Sequence, residues 1–320
     1  MTEQDILAWD DWLDLELGEP DWLVPGLLER GGAGIVHGSS RSFKSFFMLQ
    51  LCLDLAAGYP ALGVFPVVPP KRTLMFQAEG TKRAWRQRMW ALRDVYPTGI
   101  HFWSRHTSVE KFDSPAGDAR MRAALALVKP DMVVLDPIAE FLSGIDTDAV
   151  SIQRWTAVMN GWREDFGCAV LLVHHDRQPM RFFNKTGMTT LDAGMEEARG
   201  NTRLPAWADL VVGMRRKDDV TTARVQKVRD APDGQEFQFK FSGGRLVLAS
   251  RSDALEQLAL SVLVGKMWLS DVVKAVSEHG MGVHDRTIRR AIDRLVERGE
   301  VAQAIVGGRF QLQLSGEATT

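Results

Sequence analysis

The sequence contains little cysteine and no long apolar run. Only Cys52 and Cys168 occur among the 320 residues, and both lie within apolar segments. Two reduced, buried thiols are typical of a cytoplasmic protein, so we expect no disulfide. No segment approaches the ~20 apolar residues that a membrane span requires, and the acidic N-terminus does not resemble a signal peptide. These absences predict a cytoplasmic protein that does not enter a membrane.

Charge is small overall but unevenly distributed. The formal net charge is −2, yet residues 1–30 carry nine acidic residues and one cation, Arg30. The remaining chain is therefore mildly basic, which permits nucleic-acid binding through local patches. The acidic arm, residues 1–21, is too short to fold alone. We expect it to dock on its own core or on a neighbouring subunit.

Short apolar runs alternate with helix-length segments from residue 34, which predicts an α/β fold with a mainly parallel sheet. The predicted strands are 34–37, 73–78, 100–103, 132–136 and 169–174, and the predicted helices are 44–57, 82–95, 117–128, 151–165 and 190–198. From residue 209 strands follow one another directly, which predicts an antiparallel extension at 209–214, 220–228, 235–241 and 245–248. The predicted core domain spans residues 22–249.

A second domain is predicted at 254–316, after a polar boundary. Its pattern indicates helices at 254–265, 270–278 and 286–298 and a hairpin at 300–314, the elements of a winged helix-turn-helix. Arg286, Arg289 and Arg290 on the third helix suit contact with duplex DNA. Cations and anions are equal in number over residues 254–320, and winged helices also bind proteins. A protein therefore remains the alternative partner.

A polar segment between the first strand and the first helix has the spacing of a phosphate-binding loop, Gly38-Ser39-Ser40-Arg41-Ser42-Phe43-Lys44-Ser45. In such a Walker A loop, backbone amides and the lysine bind phosphates and the serine hydroxyl ligates Mg²⁺. We predict that this segment binds ATP and Mg²⁺. Phe43 replaces the usual glycine, which carries a steric cost where φ is positive. The alternative is a polar loop that leads into a helix.

Polar residues follow three of the predicted strands. Asp136 is predicted to hold the metal through water, because ligands gather at the carboxyl ends of parallel strands. Glu79 is predicted to orient and deprotonate the attacking water; a surface glutamate is the alternative. His174 and His175 are interpreted as a polar sensor, with one ring facing the γ-phosphate, or as structural histidines. A metal site is disfavoured because adjacent strand residues point to opposite sides.

These motifs together resemble the RepA-like branch of RecA-fold P-loop ATPases, which includes hexameric replicative helicases of plasmids and phages. The resemblance runs from about Trp22 to Phe241 and rests on the segments DWLVPG, GSSRSFKS, FQAEG, VVLD, VHH, RGNT and KVR. Some members of this branch also carry SFKS. The resemblance implies a RecA-like P-loop ATPase core and a homo-oligomeric ring, a hexamer, with ATP at subunit interfaces.

The resemblance also implies cations that act on the neighbouring subunit's nucleotide. Lys227 and Arg229 match the family's K-x-R pattern, and Arg199 is the competing arginine finger; such cations stabilise charge on the transferred phosphoryl group. The segment 176–187 corresponds to a loop that lines the ring channel. Arg181 and Lys185 there are predicted to contact single-stranded DNA, whereas a flexible connector is the alternative. The basic helix 82–95 is interpreted as solvated.

The resulting prediction is an ATP-hydrolysing, DNA-dependent motor, a RepA-like oligomeric helicase of plasmid or phage replication. One alternative is a recombination-mediator ATPase on single-stranded DNA. The other is a DNA-binding regulator that uses the P-loop core as a nucleotide switch.

Overall fold

A nine-stranded sheet organises residues 33–248. The computed structural model describes residues 8–9, 13–14, 21–65, 67, 69–96, 99–104, 110–144, 149–176, 181–184, 187–190, 203–229, 233–249, 255–256, 259–260, 262–263, 265–278 and 285–315. The strands of the large sheet are β3 (Ala33–Gly38), β4 (Thr73–Gln77), β5 (His101–Ser104), β6 (Met132–Asp136), β7 (Ala169–His175), β10 (Leu210–Lys217), β11 (Val220–Val228), β12 (Glu236–Ser242) and β13 (Arg245–Leu248). Two short pairs stand outside it, namely β1 (Trp22–Val24) with β2 (Leu28–Glu29) and β8 (Arg181–Asn184) with β9 (Gly187–Thr190).

The order of strands across the sheet is β13-β12-β11-β10-β3-β7-β6-β4-β5. The six strands from β10 to β5 pair in parallel, and β11, β12 and β13 extend the sheet in antiparallel pairing. This confirms the mainly parallel sheet and its antiparallel extension. In this order β7, β6 and β4 are consecutive neighbours, and β3 lies next to β7. The carboxyl ends of β4, β6 and β7, where the predicted polar residues lie, therefore meet beside the end of β3.

Helices cover both faces of this sheet. They are α1 (Lys44–Ala57), α2 (Lys82–Leu92), α3 (Pro115–Val128), α4 (Ile138–Phe141), α5 (Ala149–Phe166) and α6 (Arg203–Trp207). One buried cluster joins α1 to the sheet, and a second joins α3, α4 and α5 to the opposite face. Local signals set the helix ends: Thr81 and Ser114 cap α2 and α3 through their side chains. Gly58 ends α1 in the left-handed conformation.

The strands and helices predicted for the core are confirmed, with ends that differ by up to three residues. Two predictions after β7 differ from the structure. The segment 176–187, expected as an irregular loop, contains β8 and the start of β9. The helix expected at 190–198 is wrong at its first residue, because Thr190 ends β9; the rest of that prediction lies outside the described residues. Cross-strand pairing gives this segment backbone partners that periodicity could not reveal.

Residues 267–314 form the strand β14 (Met267–Trp268), the helices α7 (Leu269–Glu278) and α8 (Asp285–Glu297), and the hairpin β15 (Val301–Val306) and β16 (Arg309–Leu314). A third hydrophobic cluster draws its buried members from residues 255–312. The helices predicted at 270–278 and 286–298 and the predicted hairpin are confirmed, while only parts of the range 254–265 are among the described residues. The winged-helix interpretation of this region stays a prediction.

Candidate nucleotide-binding site

The phosphate loop leaves β3 at Gly38, a position that accepts no side chain. Gly38 has a φ of 156°, and an added Cβ atom would lie 2.2 Å from the Met214 carbonyl oxygen of the neighbouring strand. The loop then turns through Ser42, which is fully buried and donates from Oγ to the Ser39 carbonyl oxygen at 2.9 Å. The tight turn delivers Lys44 and Ser45 to the first turn of α1, where backbone N–H groups are unpaired within the helix.

Lys44 is buried with its amino group turned into the loop. Its Nζ donates to the carbonyl oxygens of Gly38 at 2.7 Å and of Ser39 at 2.8 Å. Burial lowers the pKa of Lys44, and the charges of Asp176, Asp136 and Glu79 oppose this shift. The three carboxylates therefore favour the charged form of the buried Lys44 at the base of the loop.

Phe43 has the backbone conformation that the sequence flagged as costly. Its φ of 64° and ψ of 22° are left-handed values, which a glycine would adopt without strain. The Phe43 ring stacks on Phe241 with centroids 4.8 Å apart and meets the edge of Phe46 at 5.7 Å. The Arg216 guanidinium lies 4.5 Å from the same ring centroid. These contacts offset the strain and explain how phenylalanine is accommodated here.

Asp136 and Ser45 lie together, as predicted for a metal site. The Asp136 carboxyl is fully buried, and burial raises its pKa to about 6, while the nearby Ser45 hydroxyl and Gln77 amide oppose the shift. Gln77 Nε2 donates to Asp136 Oδ2 at 3.0 Å. Among the described residues, Asp136 Oδ1 has no hydrogen-bond partner. A buried carboxylate oxygen that lacks a donor beside a serine hydroxyl fits a hydrated divalent cation.

Glu79 and His175 face each other across the ends of β4 and β7. Their side chains approach to 3.5 Å between Glu79 Oε1 and His175 Nε2, and both are about half exposed. Burial and the charge of Lys44 lower the pKa of His175, whereas the charge of Glu79 raises it. A neutral imidazole is therefore favoured beside the glutamate. Of the two predicted histidines only His175 lines the cavity described below; His174 is half-buried beside it in the chain.

One cavity of about 430 Å³ unites the loop with these side chains; it is lined by Ser40, Arg41, Ser42, Phe43, Lys44, Ser45, Phe46, Gln77, Glu79, Gly80, Trp85, Arg88, His175 and Arg216. Lys82, Arg83 and Arg86 are exposed, in agreement with the interpretation of a solvated basic face on α2, whereas Arg88 departs from it because it lines this cavity. Its guanidinium lies 4.4 Å from the Trp85 ring centroid and 4.5 Å from that of Phe46. The sequence signal for this was the Trp85–Arg88 spacing, which places both on one helical face.

Gln77 is the second residue of the candidate site that sequence reasoning missed. It is buried, donates to Asp136 and accepts the backbone N–H of Glu79 at Oε1. The Trp85 Nε1 donates to the Glu79 carbonyl oxygen at 2.7 Å. Both bonds fix the turn that carries the candidate base. No motif marks a glutamine of this kind, because its role depends on the neighbouring strand.

Lys227 and Arg229 both make contacts within their own chain. Lys227 Nζ donates to the carbonyl oxygens of Pro205 at 3.1 Å and Ala208 at 2.6 Å, next to the end of α6. Arg229 pairs with Asp209 at 2.9 Å, and its side chain is 58% exposed. Arg229 is therefore the more accessible of the two. The competing finger, Arg199, lies outside the described residues.

The predicted nucleic-acid contacts are distributed over two regions. Arg181 begins β8, whereas Lys185 lies outside the described residues. Arg286, Arg289 and Arg290 are exposed on α8, whose opposite face packs into the third cluster. Two other arginines of this region, Arg294 and Arg298, instead form ion pairs with the buried Glu256.

Membrane spans and metal clusters are both missing from the described part of the chain. No helix there is long and apolar enough to cross a membrane. The same residues contain no group of three or more His, Cys, Asp or Glu side chains that could hold a metal. A metal here would therefore take most of its ligands from water and phosphate, which is the usual environment of Mg²⁺.

Comparison with known proteins identifies the family. No curated protein matches the sequence significantly. Among solved structures, the chain is similar to an ATPase domain at 11% identity and a TM-score of 0.49, over 69% of this chain and 86% of that one. The sequence profile of the AAA domain matches residues 2–180. Since this match covers more than half of a chain that carries the phosphate loop and its carboxylates, the chain belongs to the AAA domain family.

Proposed function

We propose that the protein hydrolyses ATP and uses it to act on DNA, as a RepA-like oligomeric helicase with a RecA-like core. The observation that supports this best is the convergence of Lys44, Ser45, Glu79 and His175 on one cavity beside Asp136. In this proposal these residues supply the parts that phosphoryl transfer needs: a phosphate cradle, a cation, a metal carboxylate and a base.

In this proposal Ser45 and Asp136 hold Mg²⁺, and the buried, unpaired Asp136 Oδ1 is the observation among the described residues that fits the ion. Bound Mg²⁺ would neutralise charge on the phosphate oxygens. Glu79 orients and deprotonates the attacking water, and its orientation is maintained by the bonds of Gln77 and Trp85 to its backbone. His175 senses the γ-phosphate through its contact with Glu79.

Arg88 extends the proposed machinery within the subunit. Its position between two aromatic rings holds the guanidinium at the cavity wall, and burial lowers its pKa while the charge of Asp136 opposes that shift. An arginine in this place offers a planar fork of donors to phosphate oxygens. Arg229 is the proposed trans-acting finger of a ring, a hexamer, and Lys227 supports the end of its strand.

The proposed DNA contacts are Arg181 and Lys185 for single strands and α8 for a duplex. A test measures ATP turnover of the full chain with and without single-stranded DNA, unwinding of a forked duplex, and native mass with and without ATP. Stimulated turnover together with unwinding by a ring is the expected result. Turnover without unwinding favours the recombination-mediator alternative. ATP binding without turnover, with preference for one duplex, favours the regulator and contradicts the motor.

A further inference from the structure

A buried histidine links three strands beneath the phosphate loop. His37 is 5% exposed and immediately precedes Gly38 on β3. Its Nδ1 lies 2.8 Å from Asp176 Oδ1, at the end of β7, and its Nε2 lies 2.7 Å from Gln226 Oε1, on β11. Both ring nitrogens therefore have oxygen partners. An imidazolium donates to both of them.

The sheet is locally adapted to let Gln226 reach His37. The strand β10 lies between β3 and β11, so the side chain must pass over it. Gly213 of β10 is the residue paired with His37, and an added Cβ there would lie 2.3 Å from Gln226 Nε2. The β10–β11 register also shifts at this point, since Val211 pairs with Lys227 and Val212 with Val225. This leaves Gln226 as the extra residue of a bulge, a device that re-aims a side chain.

Each partner of His37 adjoins a part of the proposed machinery. Asp176 follows His175 directly, and its backbone N–H donates to the Gly38 carbonyl oxygen at 3.1 Å. Gln226 lies on β11, directly before Lys227. Arg229, the proposed finger, follows three residues after Gln226, just beyond the end of that strand. The contacts of one imidazole thus span the phosphate loop, the end of β7 with the proposed sensor, and β11.

The charges around His37 favour its protonated form. Burial lowers the pKa of His37. The hydrogen bond and charge of Asp176 and the hydrogen bond of Gln226 raise it by more, so the net shift is upward. Lys44, from α1, is the charged group that opposes protonation. On β7, His174 pairs with His37 in the sheet register. A bound phosphate that neutralises Lys44 would therefore raise the pKa of His37 and favour its protonated form.

We propose that His37 is a positioning residue that couples the phosphate loop, through Asp176 and Gln226, to the end of β7 and to β11. This inference rests on the proposed ATPase function. When the loop binds or releases phosphate, His37 transmits the displacement to both strands. Gly213 and the bulge at Gln226 serve this contact.

The test compares Gln226→Leu, Gly213→Ala and Gln226→Glu in the full chain. Steady-state kcat for ATP is measured against pH with single-stranded DNA, and the Kd for ATP is measured by titration. Gln226→Leu and Gly213→Ala should lower kcat about 10-fold or more through misplacement, with Kd within about 3-fold of the wild type. The basic limb of kcat should move to lower pH in Gln226→Leu. Gln226→Glu keeps an acceptor and adds a negative charge, so it should retain kcat and move that limb to higher pH.

Gln238→Leu, an exposed change on β12, is the matched control and should behave as the wild type. Thermal unfolding shows whether each variant is folded. If Gln226→Leu fails to fold, Gly213→Ala and Gln226→Glu test the inference in its place. An unchanged kcat in Gln226→Leu and Gly213→Ala, together with unchanged pH profiles in all three variants, overturns this inference. The proposed function is left standing if Glu79→Gln strongly slows the turnover of ATP. Absence of wild-type turnover overturns the proposed function and this inference with it.

Discussion

Gln77 donates a hydrogen bond from Nε2 to Asp136 Oδ2 at 3.0 Å, while its Oε1 accepts the backbone N–H of Glu79. A single buried side chain thus joins the candidate metal carboxylate to the peptide of the candidate base. The bond also occupies one oxygen of Asp136, so that the other oxygen remains for a cation.

Replacing Gln77 by leucine should lower kcat for ATP about 10- to 100-fold with little change in ATP affinity, because the bond positions groups rather than binding nucleotide. The variant should also lose about 1–3 kcal/mol of unfolding free energy, since the buried Asp136 Oδ2 loses its donor and the Glu79 N–H loses its acceptor. Turnover, ATP titration and urea unfolding measure these effects. Gln153→Leu, on the exposed face of α5, is the control. Equal activity of the two variants would contradict the role of Gln77.

Glu79→Gln should bind ATP normally but hydrolyse it about 10²- to 10⁴-fold more slowly, the usual range for loss of a general base. The side chain is about half exposed, so we expect no loss of stability. A single-turnover assay combined with ATP titration separates chemistry from binding. Glu140→Gln is a suitable control on the partly exposed helix α4. Rapid hydrolysis by Glu79→Gln would exclude this residue as the base.

Phe43 should be more stabilising than glycine or alanine despite its left-handed backbone. Loss of the ring removes the stack on Phe241 and the Arg216 contact, for a total of about 1–3 kcal/mol. Glycine relieves about 1 kcal/mol of backbone strain at this position, whereas alanine keeps that strain. The expected order of unfolding free energies is wild type, Phe43→Gly, Phe43→Ala. Urea unfolding measures it, and a more stable Phe43→Gly would show that strain outweighs the ring contacts.

The raised pKa of Asp136 predicts how stability depends on pH. Burial raises it from 3.8 to about 6, so between these values the folded state retains a proton that the unfolded chain releases. Stability therefore decreases as pH rises through this window. In metal-free, nucleotide-free buffer, Asp136→Asn should raise Tm more at pH 8 than at pH 4. Calorimetry at both pH values tests this, and an equal effect at both would contradict a raised pKa.

Arg229→Ala should form assemblies that bind ATP and turn it over slowly, since the finger acts from a neighbouring subunit. Loss of the exposed pair with Asp209 should cost at most about 1 kcal/mol. Arg224→Ala, an exposed change on β11, is the control. Native mass and turnover are measured together. Normal turnover by Arg229→Ala would exclude the finger role, and mixing it with Glu79→Gln should restore activity where each subunit supplies what the other lacks.

Local signals in the sequence were enough to establish the α/β core, the parallel sheet with its antiparallel extension, and the phosphate loop. Hydrophobic periodicity and strand-end carboxylates are such signals, and the carboxyl ends of parallel strands converge whatever the details of packing. For this reason Lys44, Ser45, Glu79 and Asp136 could be predicted from the sequence as one cluster, and the structure places them together. The steric cost of Phe43 at a positive φ was also foreseeable, because phenylalanine stands there at a glycine position of the loop.

Long-range packing selected the side chains that support that site. Gln77, Arg88 and the His37–Gln226 contact depend on neighbours 42 to 189 residues away in the chain. Such pairings depend on sheet order, on the β10–β11 bulge and on the space above Gly213, and these features have no local sequence signature. From the sequence alone, a phenylalanine at the position of the loop's second glycine looks unfavourable. Its stack on Phe241 shows how contacts between distant segments make that conformation stable.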